Sequence, residues 1–200
     1  MDTRNAGRSE VGLLRMSINL ERRTLLCGAL ASAVPVLGAP ALAQASTGGA
    51  AVRRISLQNL HTGEAFKEVY FANGAYISDA LEAAARALRD WRTGETHRID
   101  PRLFDLMATV QDRLGVNTPY QIISGYRSPK TNAALHEKSS GVATKSLHML
   151  GQAVDVRIAG VELRNLQKAA LSLGAGGVGY YPQSNFVHMD VGRPRQWTGA

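Results

Sequence analysis

A single cysteine, Cys27, occurs in the 200 residues, and it lies in a segment expected to be removed. The mature protein then has no thiol, which excludes a disulfide scaffold, a thiolate nucleophile and a Cys-ligated metal. Any metal must be held by imidazole and carboxylate. A long hydrophobic run is also missing. The apolar stretch after Arg23 is interrupted by Pro35 and Pro40 and falls short of the roughly 20 strongly apolar residues of a membrane span. There are no internal repeats and no nucleotide-binding glycine motif. No basic stripe interleaved with aromatics argues for nucleic-acid recognition, so no nucleic-acid partner is expected.

What is present near the N-terminus has the three parts of a cleavable signal peptide. Arg22-Arg23 supplies the charge, a moderately apolar core follows, and Ala41-Leu42-Ala43 is a small-x-small ending. Paired arginines ahead of a weakly hydrophobic core resemble a twin-arginine signal. The expected organisation is a signal peptide over residues 1–43, a flexible leader over 44–52 and one domain over 53–200. The product is exported, to the periplasm, with no stable membrane anchor after cleavage. Residues 44–200 hold 18 basic and 13 acidic side chains, an excess that favours an anionic partner, be it nucleic acid, an acidic membrane face or an anionic wall polymer.

Within the domain, residues 53–60 and 65–71 read as two strands around a tight turn at His61-Thr62-Gly63-Glu64. Ser78 can cap a helix reaching Trp91, with Leu81, Ala84, Ala85 and Leu88 on one face. Pro101 opens a second helix, which Gly115 stops. Residues 120–124 predict a strand, 130–138 a helix, and 139–146 a Ser/Gly/Thr-rich loop that delivers His148. A strand over 152–158, a helix over 161–173 and strands over 178–181 and 186–191 complete the pattern. The fold class is α+β: a small antiparallel sheet carrying a zinc site, flanked by helices.

The chemistry concentrates late in the chain. In Ser146-Leu147-His148-Met149-Leu150-Gly151-Gln152-Ala153-Val154-Asp155, a loop-end histidine can converge with a strand carboxylate if Gly151 lets the backbone turn. The pleat puts Ala153, Asp155 and Arg157 on one face and Val154 and Val156 on the other. A carboxylate between two valines needs a partner, and a metal is one. Further on, His188 and Asp190 share one strand face, with Val187, Met189 and Val191 opposite. His148, Asp155 and His188 supply three ligands and leave a fourth tetrahedral position open, the arrangement of a catalytic zinc centre. His61, in the turn, is expected to shape it; His97 and His136 read as solvated surface residues. Tyr180 and Tyr181 precede the last ligand strand and are candidates to line the cleft.

Ser-x-His-x-x-Gly-x-Ala-x-Asp, preceded by Ser124-Gly125-Tyr126-Arg127-Ser128 and followed by Phe-Val-His-x-Asp, resembles the peptidase M15 family of zinc carboxypeptidases and murein endopeptidases. Residues 59–64, 99–102 and 177–181 look like its branch of exported murein endopeptidases. The resemblance implies one Zn2+ per chain on His148, Asp155 and His188. It also gives Arg127 a role in meeting a substrate carboxylate or steadying an oxyanion, with a plain structural ion pair as the alternative. Ser146 is expected to orient the site. Many members place a Glu or Asp three residues before the last histidine as general base; here that residue is Asn185. Other relatives carry a His two residues before it, where Phe186 stands. Asp190 is the nearest candidate for the base, and could equally hold the free imidazole nitrogen of His188. The implied substrate is a peptidoglycan stem peptide or cross-link. Cross-link endopeptidase is the first reading, followed by D,D-carboxypeptidase or a non-catalytic wall-binding module that keeps zinc for stability.

Overall fold

The computed structural model describes residues 51–139 and 141–199. The expected signal peptide and all but the end of the leader lie outside the described residues. Among the described residues, β1 (Arg53–Asn59), β2 (Ala65–Ala72) and β3 (Ala75–Tyr76) open the domain, followed by α1 (Ser78–Ala87) and α2 (Pro101–Leu114). Then come β4 (Tyr120–Ser124), α3 (Pro129–Lys138), a short 3₁₀ turn (Leu147–Leu150) and β5 (Ala153–Ile158). α4 (Leu163–Leu171), β6 (Gly177–Tyr181), β7 (Phe186–Asp190) and β8 (Arg195–Thr198) close it. No described helix is long and apolar enough to cross a membrane.

The α+β class is as expected, but the sheet is neither small nor purely antiparallel. It has eight strands in the order β3-β2-β1-β4-β5-β7-β6-β8. β1 and β4 run parallel, because the chain between them carries α1 and α2 across and returns in the same direction. β8 is parallel to β6, since it follows β7 but pairs on the far side of β6.

Caps explain the sharpest boundaries. Asp100 accepts a hydrogen bond from Arg102 N, Pro101 takes the first turn, and Gly115 ends α2 in the left-handed region at φ 66°. α1 stops at Ala87, short of the expected Trp91, while its N-cap is Ile77 rather than Ser78. Downstream of α1, Asp90 is turned inward, its two oxygens accepting from Arg92 N and from Ser128 N on a different segment.

The sheet's two faces divide the labour. Val154, Val156, Val187 and Met189 point into one core with Leu103, Met107 and Leu166 from the helices. Each such buried side chain contributes about 1.5–3 kcal/mol. The alternate residues, Asp155, His188 and Asp190, are just as buried but lie on the other face of β5 and β7. β5 and β7 are neighbours in register, with Asp155 directly opposite His188.

Candidate metal centre

Three segments bring the site together. β5 and β7 deliver Asp155 and His188 as cross-strand neighbours. His148 comes from the 3₁₀ turn, which ends at Gly151 with φ 63°. A side chain at 151 would be strained there and would run into the carbonyl of Arg98, so the turn needs glycine. Asp100 N donates to Gly151 O at 2.9 Å, which ties the turn to the start of α2. The loop before it is held by Asn132 of α3, whose side-chain amide donates to Ala143 O at 3.0 Å. Ser146 caps the turn, its hydroxyl accepting from His148 N at 3.4 Å.

His148 Nε2, Asp155 Oδ1 and His188 Nδ1 form a triangle with edges of 3.2, 2.9 and 3.2 Å. The outer nitrogens are spoken for. His148 Nδ1 lies 2.7 Å from Gly125 O, which can only accept, so Nδ1 carries the hydrogen. His188 Nε2 lies 2.9 Å from Asp190 Oδ2, so it too carries a hydrogen. The two inner imidazole nitrogens and a carboxylate oxygen therefore face one another. Such a set is unfavourable unless a cation, or a proton, sits among them. These three residues form the group among the described residues that could hold a metal ion.

The electrostatics follow. Burial pushes His148 down to about 4, against the attraction of Asp155. Burial alone would raise Asp155, but His148, Arg127 and the hydrogen bond from His188 hold it well below the usual carboxylate range. His188 is raised above its ordinary 6.5: burial opposes this, and the bonds to Asp155 and Asp190 outweigh it.

Asp190 is saturated. Oδ1 accepts from Gly177 N at 3.0 Å, Gly192 N at 2.9 Å and Arg195 Nη1 at 3.0 Å. Oδ2 accepts from His188 and from Arg195 Nη2 at 2.7 Å. Burial would raise its pKa; these bonds keep it low. Arg127 is pinned as well, Nη2 to Asp155 Oδ2 and Nε to Ser124 Oγ at 2.8 Å. Asn185 occupies the exposed β6–β7 turn at φ 53°, a conformation Asn tolerates better than most residues.

The other aromatics and histidines singled out in the sequence have partners of their own. Tyr181 stacks on Phe186, and Tyr180 belongs to the buried core rather than to an open cleft. His61 stacks on Trp91 and His97 on Tyr126. His136 sits 2.6 Å from Val142 O. A cavity of about 580 Å³ between α1 and residues 96–99 is lined by Arg86, His97 and Arg98. It shares His97 and Arg98 with a cleft of about 290 Å³ that reaches Leu150 and Gln152.

Sequence reasoning missed three supports. Gly125 acts through its backbone carbonyl, which no side-chain motif reveals. Arg195 and Trp197 lie on β8, which was not expected. The Trp197 indole sits 5.1 Å from the His188 ring, crossing β6 at Gly179, where a Cβ would come within 2.5 Å of it. The alternation Gly177-x-Gly179, facing His188 and Asp190, was the available signal that something packs across that strand.

Residues 47–197 match the family model described as peptidoglycan L,D-endopeptidase MepK. Among curated proteins, peptidoglycan L,D-endopeptidase MepK of Escherichia coli K12 is 47% identical over 176 residues, covering 88% of this chain and 96% of that protein. The probable peptidoglycan L,D-endopeptidase MepK of Haemophilus influenzae is 39% identical over 181 residues, 90% of this chain and 96% of its own. By motif, by coverage and by the length of the match, the chain belongs to the peptidase M15 family, in its MepK-like branch.

Proposed function

We propose that this protein is an exported zinc-dependent endopeptidase that cleaves peptide cross-links in peptidoglycan. The bond class is the one its relatives are named for, between an L and a D centre. One observation carries the reading: two imidazole nitrogens and a carboxylate oxygen converge on a single point. Bonds of about 2.0–2.1 Å in a tetrahedral zinc site set the donors about 3.3–3.4 Å apart, within a few tenths of an ångström of the triangle present. Imidazole and carboxylate suit zinc, and a fourth position stays open for a substrate.

The chemistry zinc supplies when bound is Lewis acidity, which polarises a carbonyl and lowers the pKa of water towards about 7. The chain's own groups prepare for it. Gly125 O and Asp190 hold the outer ring protons of the two histidines, which aims the inner nitrogens at the ion's position. Arg127 holds Asp155 in place through Oδ2 and sets a positive charge beside the point where an oxyanion develops. Asp190, with every lone-pair direction occupied, acts as a positioning residue for His188 and not as the proton carrier. Removing the signal segment on export to the periplasm would bring the domain to its polymer.

Incubating the purified protein with muropeptide dimers, with and without a chelator, tests this reading. Monomers form only in the metal-loaded sample if it is right. Intact dimers alongside one equivalent of bound zinc would favour the wall-binding alternative instead. Release of a terminal residue from monomers, with dimers untouched, would indicate a carboxypeptidase.

A further inference from the structure

Of the cations near the metal centre, Arg127 is committed to Asp155 and Arg195 to Asp190. Arg92 is different. Its guanidinium lies 4.2 Å from the centre of the Trp91 ring, and it has no carboxylate within ion-pair reach among the described residues. The acid nearest in sequence, Asp90, is buried and spends its oxygens on Arg92 N at 3.0 Å and Ser128 N at 2.9 Å.

Those bonds place Arg92 firmly beside the site. Asp90 straps the Arg92 backbone to Ser128, the residue after Arg127. Leu88 O accepts from Tyr126 N at 2.8 Å, the residue before it. On the other side, Trp91 stacks on His61 with centroids 4.1 Å apart and planes 15° off parallel. The His61 ring reaches Ile123 O at 3.1 Å, next to the Ser124 that holds Arg127. Both ends of the segment that carries Arg127 thus brace the platform under Arg92. Arg92 sits below its ordinary pKa, chiefly through burial of part of its side chain, with Asp90 opposing and repulsion from Arg127 adding to it. Two guanidiniums lie on one frame, and the outer one, exposed and without a counter-charge among the described residues, suits an anion.

Resting on the endopeptidase reading, we propose that Arg92, held on Trp91, binds a carboxylate of the peptide substrate next to the bond that is cleaved, and so sets specificity. Arg127 stays with Asp155, which leaves Arg92 free to meet the substrate. The planar fork of an arginine on an aromatic platform suits bidentate recognition of a carboxylate better than a lysine would.

The test compares wild type, Arg92→Gln and Arg92→Lys on two muropeptide dimers, one with free carboxylates and one amidated. Each protein's affinity for both dimers is measured calorimetrically alongside cleavage. Amidation should raise the wild-type KM ten- to hundredfold, the range expected for one charge-assisted contact, with kcat changed little. Arg92→Gln should show that penalty on the free dimer and no longer distinguish the two substrates. Arg92→Lys should recover only part of the discrimination and guards against loss of fold. Undiminished discrimination by Arg92→Gln, or no affinity of wild type for either dimer, overturns the proposal. Discriminating binding without product would uphold it and refute the endopeptidase reading alone.

Discussion

Replacing Asp190 by Asn alters little in shape and much in protonation. In the native site Oδ1 receives three donors and Oδ2 receives two, one of them His188 Nε2. An asparagine places its carbonyl where three donors converge, so its NH2 faces His188. The imidazole then has to accept at Nε2 and move its proton to Nδ1, the nitrogen that points to Asp155 Oδ1 at 2.9 Å. A metal must displace that proton. The charge-assisted bond that is lost contributes about 1.5–3 kcal/mol. Outer partners of ligating histidines typically control metal affinity by about 10–100-fold. Asp190→Asn should therefore keep the far-ultraviolet circular dichroism of wild type and bind zinc about 10–100-fold more weakly in competition with a chromophoric chelator. Imidazole nitrogen chemical shifts should show the His188 proton on Nδ1. Wild-type zinc affinity together with a collapsed kcat would refute this reasoning and return Asp190 to the role of base.

Zinc uptake should also depend on pH. His188 is raised above 6.5 without the ion, so below its pKa a proton occupies the position the ion needs; affinity should fall about tenfold per unit as the pH drops through that value. His148, at about 4, adds a second proton only in strong acid. A flat affinity between pH 8 and 5, read by the same competition, would contradict this. Gly151→Ala forces a side chain into the left-handed region and against Arg98 O, and should lower stability by about 2 kcal/mol or more in urea denaturation. Asp90→Ala leaves the buried Ser128 N and the Arg92 N without acceptors, at about 1–3 kcal/mol for the buried donor, and should cost that in thermal or urea unfolding. A neutral result at Asp90 would mean that water replaces the carboxylate.

The parts of the fold that were legible in the sequence are those with local causes. α2 begins and ends where Asp100, Pro101 and Gly115 dictate, and β4 matches its expected span because apolar residues alternate between clear breakers. The strand phase around Asp155 and His188 was readable for the same reason. What was not legible depends on distant partners. α1 is shorter than its apolar face implied, and the nearby Asp90 serves a segment almost 40 positions away. β3 is two residues long, and β8, Arg-Gln-Trp-Thr, has no apolar alternation; it exists because β6 offers an edge. Parallel pairing of β1 with β4 is decided by how two helices cross, which no local pattern contains. At the site, the residue types and spacing of the candidate ligands were visible, whereas the support from Gly125 O, Arg195 and Trp197 arises only once the chain has closed on itself.

The pairing of Asp155 with His188 has a consequence for how the chain reaches its native state. A slip of β7 by one residue against β5 would turn Val187 and Met189 outward and drive His188 and Asp190 into the helix-covered layer. Only one alignment of these two strands brings the three candidate ligand atoms together, so an ion bound there would stabilise the correct alignment and none of its neighbours.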